Sequence, residues 1–174
     1  MKAVASFLLL NLLLAGCAAA PDSAPRRGRL TWLGGMPVLI LSGSPYEIGY
    51  QHGSLLQEEV RASVANVMAF VDREVGVPVF GQWLARRRLD QTWAQMSPFV
   101  PKEYKEELRG LAKGAGVPLR DLHRLHALPE LMSITCASFA AFGGATQDGR
   151  LIHVRNLDWA IQAGVQRYAA LFVY

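Results

Sequence analysis

Cysteine is scarce in this chain of 174 residues, since Cys17 and Cys136 are the only two. A framework of several disulfides, which stabilises many small secreted domains, is therefore excluded. The sequence also lacks a glycine-rich phosphate loop, a zinc-type group of cysteines and histidines, and internal repeats. Its formal charge of +4 is small. The one dense basic run, Arg86 to Arg88, has helix-like apolar neighbours and indicates a solvated helix face rather than a nucleic-acid surface. We expect no nucleic acid, metal or cofactor as a partner.

The one long apolar run of the sequence lies at its N-terminus. Lys2 gives a positive start, and Phe7 to Ala15 is almost purely apolar. About ten residues are too few to span a bilayer as an ordinary helix, but they suit the core of a secretory signal peptide. The run ends in Leu14-Ala15-Gly16-Cys17, which resembles the lipobox of bacterial lipoproteins, in which the cysteine is lipidated. The alternative is an ordinary signal peptide, with Cys17 incidental.

The lipobox predicts where the protein resides. A lipoprotein signal peptide would occupy 1–16, and more than one acyl chain on Cys17 would anchor the protein stably to a membrane. Residues 17–29 include two prolines together with Ser, Gly and Arg, which is typical of a flexible tether. The expected location is the bacterial cell envelope, on the periplasmic or outer-membrane side. About 158 residues then remain, enough for one domain with a core.

The segment 30–135 is predicted to be mostly helical after two short strands. Leu30 to Leu41 is aliphatic around a Gly-Gly pair and predicts the strands. Ser44 to Glu47 (SPYE) predicts a capped helix start. The same helix is predicted to continue until Gly76 and Pro78 stop it. Apolar residues recur along it every three or four positions as one face, formed by Leu56, Val60, Val64, Val67, Met68 and Val71. Three more helices are predicted, over 82–96, 101–114 and 118–129.

A β region is predicted to begin at Cys136. Asp148-Gly149 lies between two strand-like runs and favours a two-residue type I′ hairpin turn. With that turn Asp158 lies opposite Phe139, about three residues, or roughly 10 Å, short of the cysteine. A bulge at Gly143-Gly144 or a bend after residue 156 would close much of this gap. A further strand is predicted over 165–174.

The sequence leaves open whether the thiol of Cys136 is reactive. If Cys17 is lipidated, Cys136 is a leftover thiol that pairs between molecules, is buried and inert, or is reactive. A thiol attacks as thiolate, which a neighbouring Arg155 would stabilise, and Asp158 would anchor that arginine or hold an amine. A cysteine without a histidine base needs another base. Its own α-amine is one solution, and it would require a cut between Thr135 and Cys136.

His123 and His126 leave two alternatives open. They lie three residues apart on the fourth predicted helix, where metal binding is conceivable. Because no carboxylate has matching spacing, surface or packing histidines are favoured. A different cysteine hydrolase would use one of them as its base.

Two segments resemble one family when they are taken in order. Ser44 to Gly53 (SPYEIGYQHG) is similar to an early signature of the acyl-CoA:6-aminopenicillanic acid acyltransferase-like proteins, peptidase family C45. Cys136, the Asp148-Gly149 turn and Arg155 to Trp159 (RNLDW) resemble the start of that family's mature nucleophile chain and of the related choloylglycine hydrolases. The resemblance covers about 38–174.

The resemblance implies a fold and a mechanism. The fold is the α/β (α+β) N-terminal nucleophile (Ntn) hydrolase sandwich, with two stacked sheets between helix layers. The precursor cuts itself before the cysteine, which matches Thr135–Cys136 here. Cys136 would then supply thiol nucleophile and α-amine base, Arg155 would steady the thiolate and substrate, and Asp158 would bind the free amine. Linear amides would be cleaved through an acyl-enzyme, with water or an amine as acceptor. The 30–135 chain would stay bound to the 136–174 chain.

The family pattern is incomplete in this chain. Its oxyanion-hole asparagine and a further arginine would lie beyond Tyr174, so we expect an N-terminal fragment of a sandwich that is inactive alone. Gln51, His52 and Gly53 match the early signature, but helix packing is favoured over catalysis for them. The competing hypothesis is a non-catalytic envelope lipoprotein that uses the fold for binding or structure.

Overall fold

The computed structural model describes residues 28–74, 79–132 and 136–174. The predicted signal peptide, Cys17, most of the tether and Thr135 lie outside these residues. The described part is α+β. Its elements in chain order are β1 (Arg29–Leu33), β2 (Met36–Ile40), α1 (Pro45–Leu55), α2 (Gln57–Glu74), α3 (Phe80–Met96), α4 (Lys102–Ala115), α5 (Leu119–Leu131), β3 (Cys136–Gly143), β4 (Gly149–Leu157) and β5 (Leu171–Val173), with 3₁₀ turns at Ser97–Phe99, Ile161–Ala163 and Val165–Tyr168.

The strands form two separate sheets. β1 and β2 are antiparallel, and β5 adds to the other edge of β2 in parallel. The turn between β1 and β2 is Gly34-Gly35, with φ of 57° and 82°. Positive φ at both central residues is what a type I′ hairpin turn requires, so the two predicted strands are confirmed. β3 and β4 form the second sheet, a two-stranded antiparallel hairpin.

The predicted helix start is confirmed, but the single long helix is not. The Ser44 hydroxyl accepts a hydrogen bond from the Glu47 N–H, while a Glu47 carboxylate oxygen accepts from the Ser44 N–H at 2.7 Å, forming a capping box. The helix ends one turn past Gln51, because Leu56 has φ −120° and ψ 44°. α2 starts directly afterwards, and α1 packs on α4 while α2 enters the core.

α2 is the central helix of the core. Val67, Phe70 and Val71 pack with Leu89 of α3 and Leu128 of α5. A second cluster combines the neighbouring face of α2 with α4 and α5, through Val64, Met68, Leu108, Ala112 and Leu122. The predicted apolar stripe is therefore confirmed as a core face over Val64, Val67, Met68 and Val71 of α2. Within the described residues, no helix is long and apolar enough to cross a membrane.

α1 and α4 lie with their backbones in direct contact. A Cβ added at Gly49 would lie 1.9 Å from the Glu107 carbonyl oxygen, and one at Gly110 would lie 2.0 Å from that of Tyr46. Gly53 and Gly114 repeat the contact one turn later. Real Cβ atoms do not approach oxygen so closely, so only glycine permits this packing.

The predicted strand over 165–174 is wrong in its first half. Val165–Tyr168 is a 3₁₀ turn instead, and only Leu171–Val173 is extended. Val165 packs against the first core cluster, and the Tyr168 hydroxyl accepts a hydrogen bond from Asn66 Nδ2 at 2.8 Å. These contacts with α2 outweigh the β propensity of the segment.

Candidate functional site at Cys136

The β3–β4 hairpin places the predicted site, but with a different turn. Its loop covers 144–148, and the predicted two-residue turn at Asp148-Gly149 is wrong. A type I′ turn needs positive φ at both central residues, and here Gly149 has it at 72° while Asp148 does not. The wider loop is closed instead by Thr146, whose hydroxyl lies 3.2 Å from the Gly143 carbonyl oxygen and 2.9 Å from that of Arg150.

The wider loop shifts the strand register and brings Arg155 and Asp158 nearer to Cys136 than predicted. Cys136 pairs with Leu157, and Arg155 pairs with Ser138, with an irregularity between Ala141 and Gly143. Arg155 is therefore a diagonal neighbour of Cys136 on one face of the hairpin, within reach of a long side chain. Asp158 follows directly after the partner of Cys136, so the gap of about three residues does not occur.

Cys136 and Arg155 are in contact. Arg155 Nη2 donates a hydrogen bond to Cys136 Sγ at 3.3 Å, and the cysteine is exposed. The interpretation of Cys136 as a buried, inert thiol is therefore wrong for this structure. The sulfur is therefore oriented by the guanidinium and can be reached from solvent.

Asp158 and Trp159 fix the end of β4. Asp158 Oδ1 accepts a hydrogen bond from Asn156 Nδ2 at 2.7 Å. Trp159 packs against the first core cluster, and its Nε1 is buried with no hydrogen-bond partner in the described part of the chain. The ring therefore joins the strand that carries Arg155 to the helical body, a role that was not predicted from the sequence. An apolar residue directly after the Arg-Asn-x-Asp run was the available signal.

The two histidines of α5 both contact the Trp93 ring. The His123 ring stacks on Trp93 with centroids 4.2 Å apart, and burial lowers its pKa. His126 also has a pKa lowered by burial and lines a cavity of about 560 Å³ with His52, Glu107 and Phe172. Among the described residues, the hydrogen-bond partner of Cys136 is Arg155 rather than either histidine. No group of three or more potential metal ligands occurs in the described ranges.

The Gln51-His52-Gly53 segment is a packing element. Gln51 binds the Ser42 backbone twice, accepting from its N–H at 3.2 Å and donating to its carbonyl oxygen at 2.8 Å. His52 meets the Phe172 ring edge-on, with centroids 4.8 Å apart. Gly53 permits the contact of α1 with α4. The segment thus joins the loop after β2, β5 and α4 to α1, as the packing interpretation predicts.

His52 gives the fold a defined acid sensitivity. Burial lowers its pKa from 6.5 to about 4, so the unfolded chain binds this proton first. Stability is therefore complete above about pH 6.5 and decreases as the pH falls toward 4. Urea titrations from pH 7 to pH 4 give the free energy of unfolding as a function of pH. We expect this free energy to fall less steeply in His52→Gln than in the wild type, by up to the slope for one proton, about 1.4 kcal/mol per pH unit. His153→Gln, at an exposed position of β4, is the matched control. Equal slopes in the two variants would contradict the prediction.

Comparisons with known proteins find relatives whose names state no activity. No family model matches the chain. The chain is 32% identical over 152 residues to protein dcd1B of Dictyostelium discoideum, and 28% identical over 136 residues to protein dcd1A of the same organism. It is also 30% identical over 162 residues to an uncharacterized protein of Archaeoglobus fulgidus. These matches take in 79%, 70% and 75% of this chain. The chain spans only 30%, 31% and 26% of the lengths of these relatives.

Proposed function

We propose that Cys136 is the nucleophile of a self-processing cysteine amidohydrolase or acyltransferase of the C45-like, N-terminal nucleophile type. The observation that carries the proposal is the hydrogen bond from Arg155 to an exposed thiol at the first residue of β3. A cut between Thr135 and Cys136 would make this thiol and a free α-amine parts of one residue. The amine then removes the thiol proton, and Arg155 holds the resulting thiolate.

The proposed reaction is attack on a linear amide. The thiolate adds to the amide carbon, and the amine leaves after taking a proton from the α-ammonium of Cys136. Water or a second amine then attacks the acyl-enzyme thioester. Asp158 would orient the α-amine, since it lies one residue beyond the strand partner of Cys136. Hydrolysis is favoured over acyl transfer because coenzyme A is not expected outside the cytoplasm.

We further propose that the fold is an Ntn sandwich. Its second layer would be completed by other parts of the full-length protein. The β3–β4 hairpin exposes apolar side chains on both faces, among them Phe139, Phe142, Ile152 and Val154. A two-stranded hairpin is marginally stable by itself, so its faces need partners. The much greater length of the relatives is compatible with strands that would cover them. The 30–135 chain would remain bound through Trp159 and the core beneath it.

The location and substrate are also proposals. A lipid on Cys17 would hold the enzyme at the bacterial envelope, on the periplasmic or outer-membrane side. Candidate substrates are linear amides such as N-acyl amino acids, acyl-homoserine lactones, penicillins, bile-salt conjugates and ceramide-like lipids. A non-catalytic lipoprotein is the competing proposal. It predicts a thiol that resists alkylation in the folded state, whereas Cys136 is exposed.

The reactivity of the Cys136 thiol tests whether its contact with Arg155 activates it. We expect Arg155→Met to slow alkylation of Cys136 by iodoacetamide about fivefold at neutral pH, because the cation in contact with the attacking sulfur is removed. Peptide mass spectrometry separates this thiol from Cys17. Arg150→Met is the matched control, since Arg150 lies exposed on the same strand and pairs with Asp148 instead. Equal rates in the two variants would show that Arg155 does not activate the thiol.

A further inference from the structure

α3 has an apolar face on the side that the core does not use. Phe80, Trp83 and Leu84 are 67%, 54% and 52% exposed, and Arg87 continues the same stripe at i, i+3, i+4 and i+7. We call these four residues the α3 outer face. The opposite side of the helix holds its buried residues, Gly81, Leu89 and Thr92. α3 is therefore apolar on both sides, whereas a helix on a protein surface normally keeps its outer side polar.

The side chains of the outer face are arranged in contact with each other. The Phe80 and Trp83 rings stack with centroids 6.0 Å apart. Arg87 Cζ lies 5.5 Å from the centroid of the Trp83 ring. The result is an aromatic surface with a guanidinium at its edge. Tryptophan and arginine side chains with this dual character favour the boundary between lipid headgroups and acyl chains.

The local charge is suited to an anionic surface. The outer face itself contains no carboxylate. Asp90, the acidic residue of α3, is held by Arg120 and Arg124 at 2.5 and 2.8 Å, and these arginines keep its pKa low at about 2. Arg86 is paired with Asp72, but Arg87 and Arg88 remain exposed. The exposed carboxylate of Glu74, at the end of α2, offsets only part of this charge.

We propose that the α3 outer face docks on an anionic lipid bilayer. α3 lies along the membrane surface with Phe80, Trp83 and Leu84 at the acyl boundary and Arg87 among the headgroup phosphates. This contact would fix the orientation of the folded domain relative to the membrane. The proposal is independent of the chemistry at Cys136 and of lipidation at Cys17.

Fluorescence quenching by brominated acyl chains tests the proposal on the full chain. Vesicles contain phosphatidylcholine with or without phosphatidylglycerol. We expect strong quenching of wild type by the anionic vesicles, and loss of most of it in Trp83→Phe, which keeps the surface apolar. Trp32→Phe is the matched control, because Trp32 is also exposed but lies on β1. Quenching that persists in Trp83→Phe would overturn the proposal.

Partitioning into the same vesicles separates the apolar and electrostatic contributions. Phe80→Ser with Leu84→Ser should weaken binding about tenfold or more, while Phe99→Ser, 86% exposed beyond the other end of α3, should not. Arg87→Gln should weaken binding to anionic vesicles about fivefold and leave neutral vesicles unaffected. If the double variant changes only self-association in sedimentation and not vesicle binding, the outer face is a protein interface and the proposal is wrong.

Discussion

Gly110→Ala is expected to lower the free energy of unfolding by about 3 kcal/mol, at the upper end of the range for overpacking. The new Cβ would lie 2.0 Å from the Tyr46 carbonyl oxygen, which belongs to a helix backbone and cannot rotate away. α1 and α4 must therefore move apart. Helix propensity predicts the opposite sign, since alanine is favoured over glycine by about 1 kcal/mol in a helix interior. The packing cost exceeds this gain.

Urea unfolding followed by circular dichroism measures this effect. A loss of about 3 kcal/mol corresponds to a lowering of the melting temperature by about 10 °C in a chain of this size. Lys113→Ala is the control in the same helix, because Lys113 is exposed and the change affects propensity without the helix contact. An unchanged or raised stability of Gly110→Ala would show that the two backbones are not in contact.

Cys136→Ala is expected to abolish amide hydrolysis by the full-length gene product, with a loss in kcat/KM of about 10³-fold or more. The alanine removes the sulfur that would carry the acyl group, and no other described residue replaces it. In the part of the chain that the structure describes, Cys136 is exposed, so the substitution should have little effect on the folding of this part. A set of linear amides with different acyl chains, assayed by release of the amine, supplies the measurement.

Cys17 supplies the control for the loss of activity in Cys136→Ala. Cys17→Ser removes the only other cysteine of the chain and should leave hydrolysis in detergent solution unchanged. Arg155→Lys should retain part of the activity that Arg155→Met loses, because lysine keeps the charge but not the planar donor group. Full activity of Cys136→Ala would move the reaction away from this cysteine altogether.

Local signals in the sequence predicted local structure well. The Ser44–Glu47 capping box and the Gly34-Gly35 turn form as expected because each depends on a few neighbouring residues. The break at Leu56 was not predictable from periodicity, since the apolar stripe continues through it. It arises because α1 must follow α4 at backbone contact while α2 turns into the core. The four-residue spacing of glycines in both helices was the visible sign of that contact.

The site was predictable in outline but not in register. The order of Cys136, a hairpin and Arg155 predicted that the strand with Arg155 returns toward the thiol, but the expected register placed Arg155 opposite Phe142, whereas the structure pairs it with Ser138. The turn was wrong because Asp148-Gly149 was interpreted by its usual preference, whereas Thr146 hydrogen bonds close a wider loop. A shift of register changes every residue pair across the hairpin. The wrong turn therefore produced the expected gap of about three residues, roughly 10 Å, between Asp158 and Cys136.

The measurement that tests the central claim most directly is intact-mass and N-terminal analysis of the full-length gene product, expressed without residues 1–16 beside its Cys136→Ala variant. The account predicts two chains for the wild type, the second beginning at Cys136, and one uncut chain for the variant. A wild-type protein that remains a single chain, or a variant that is cut at the same bond, would contradict self-processing by Cys136.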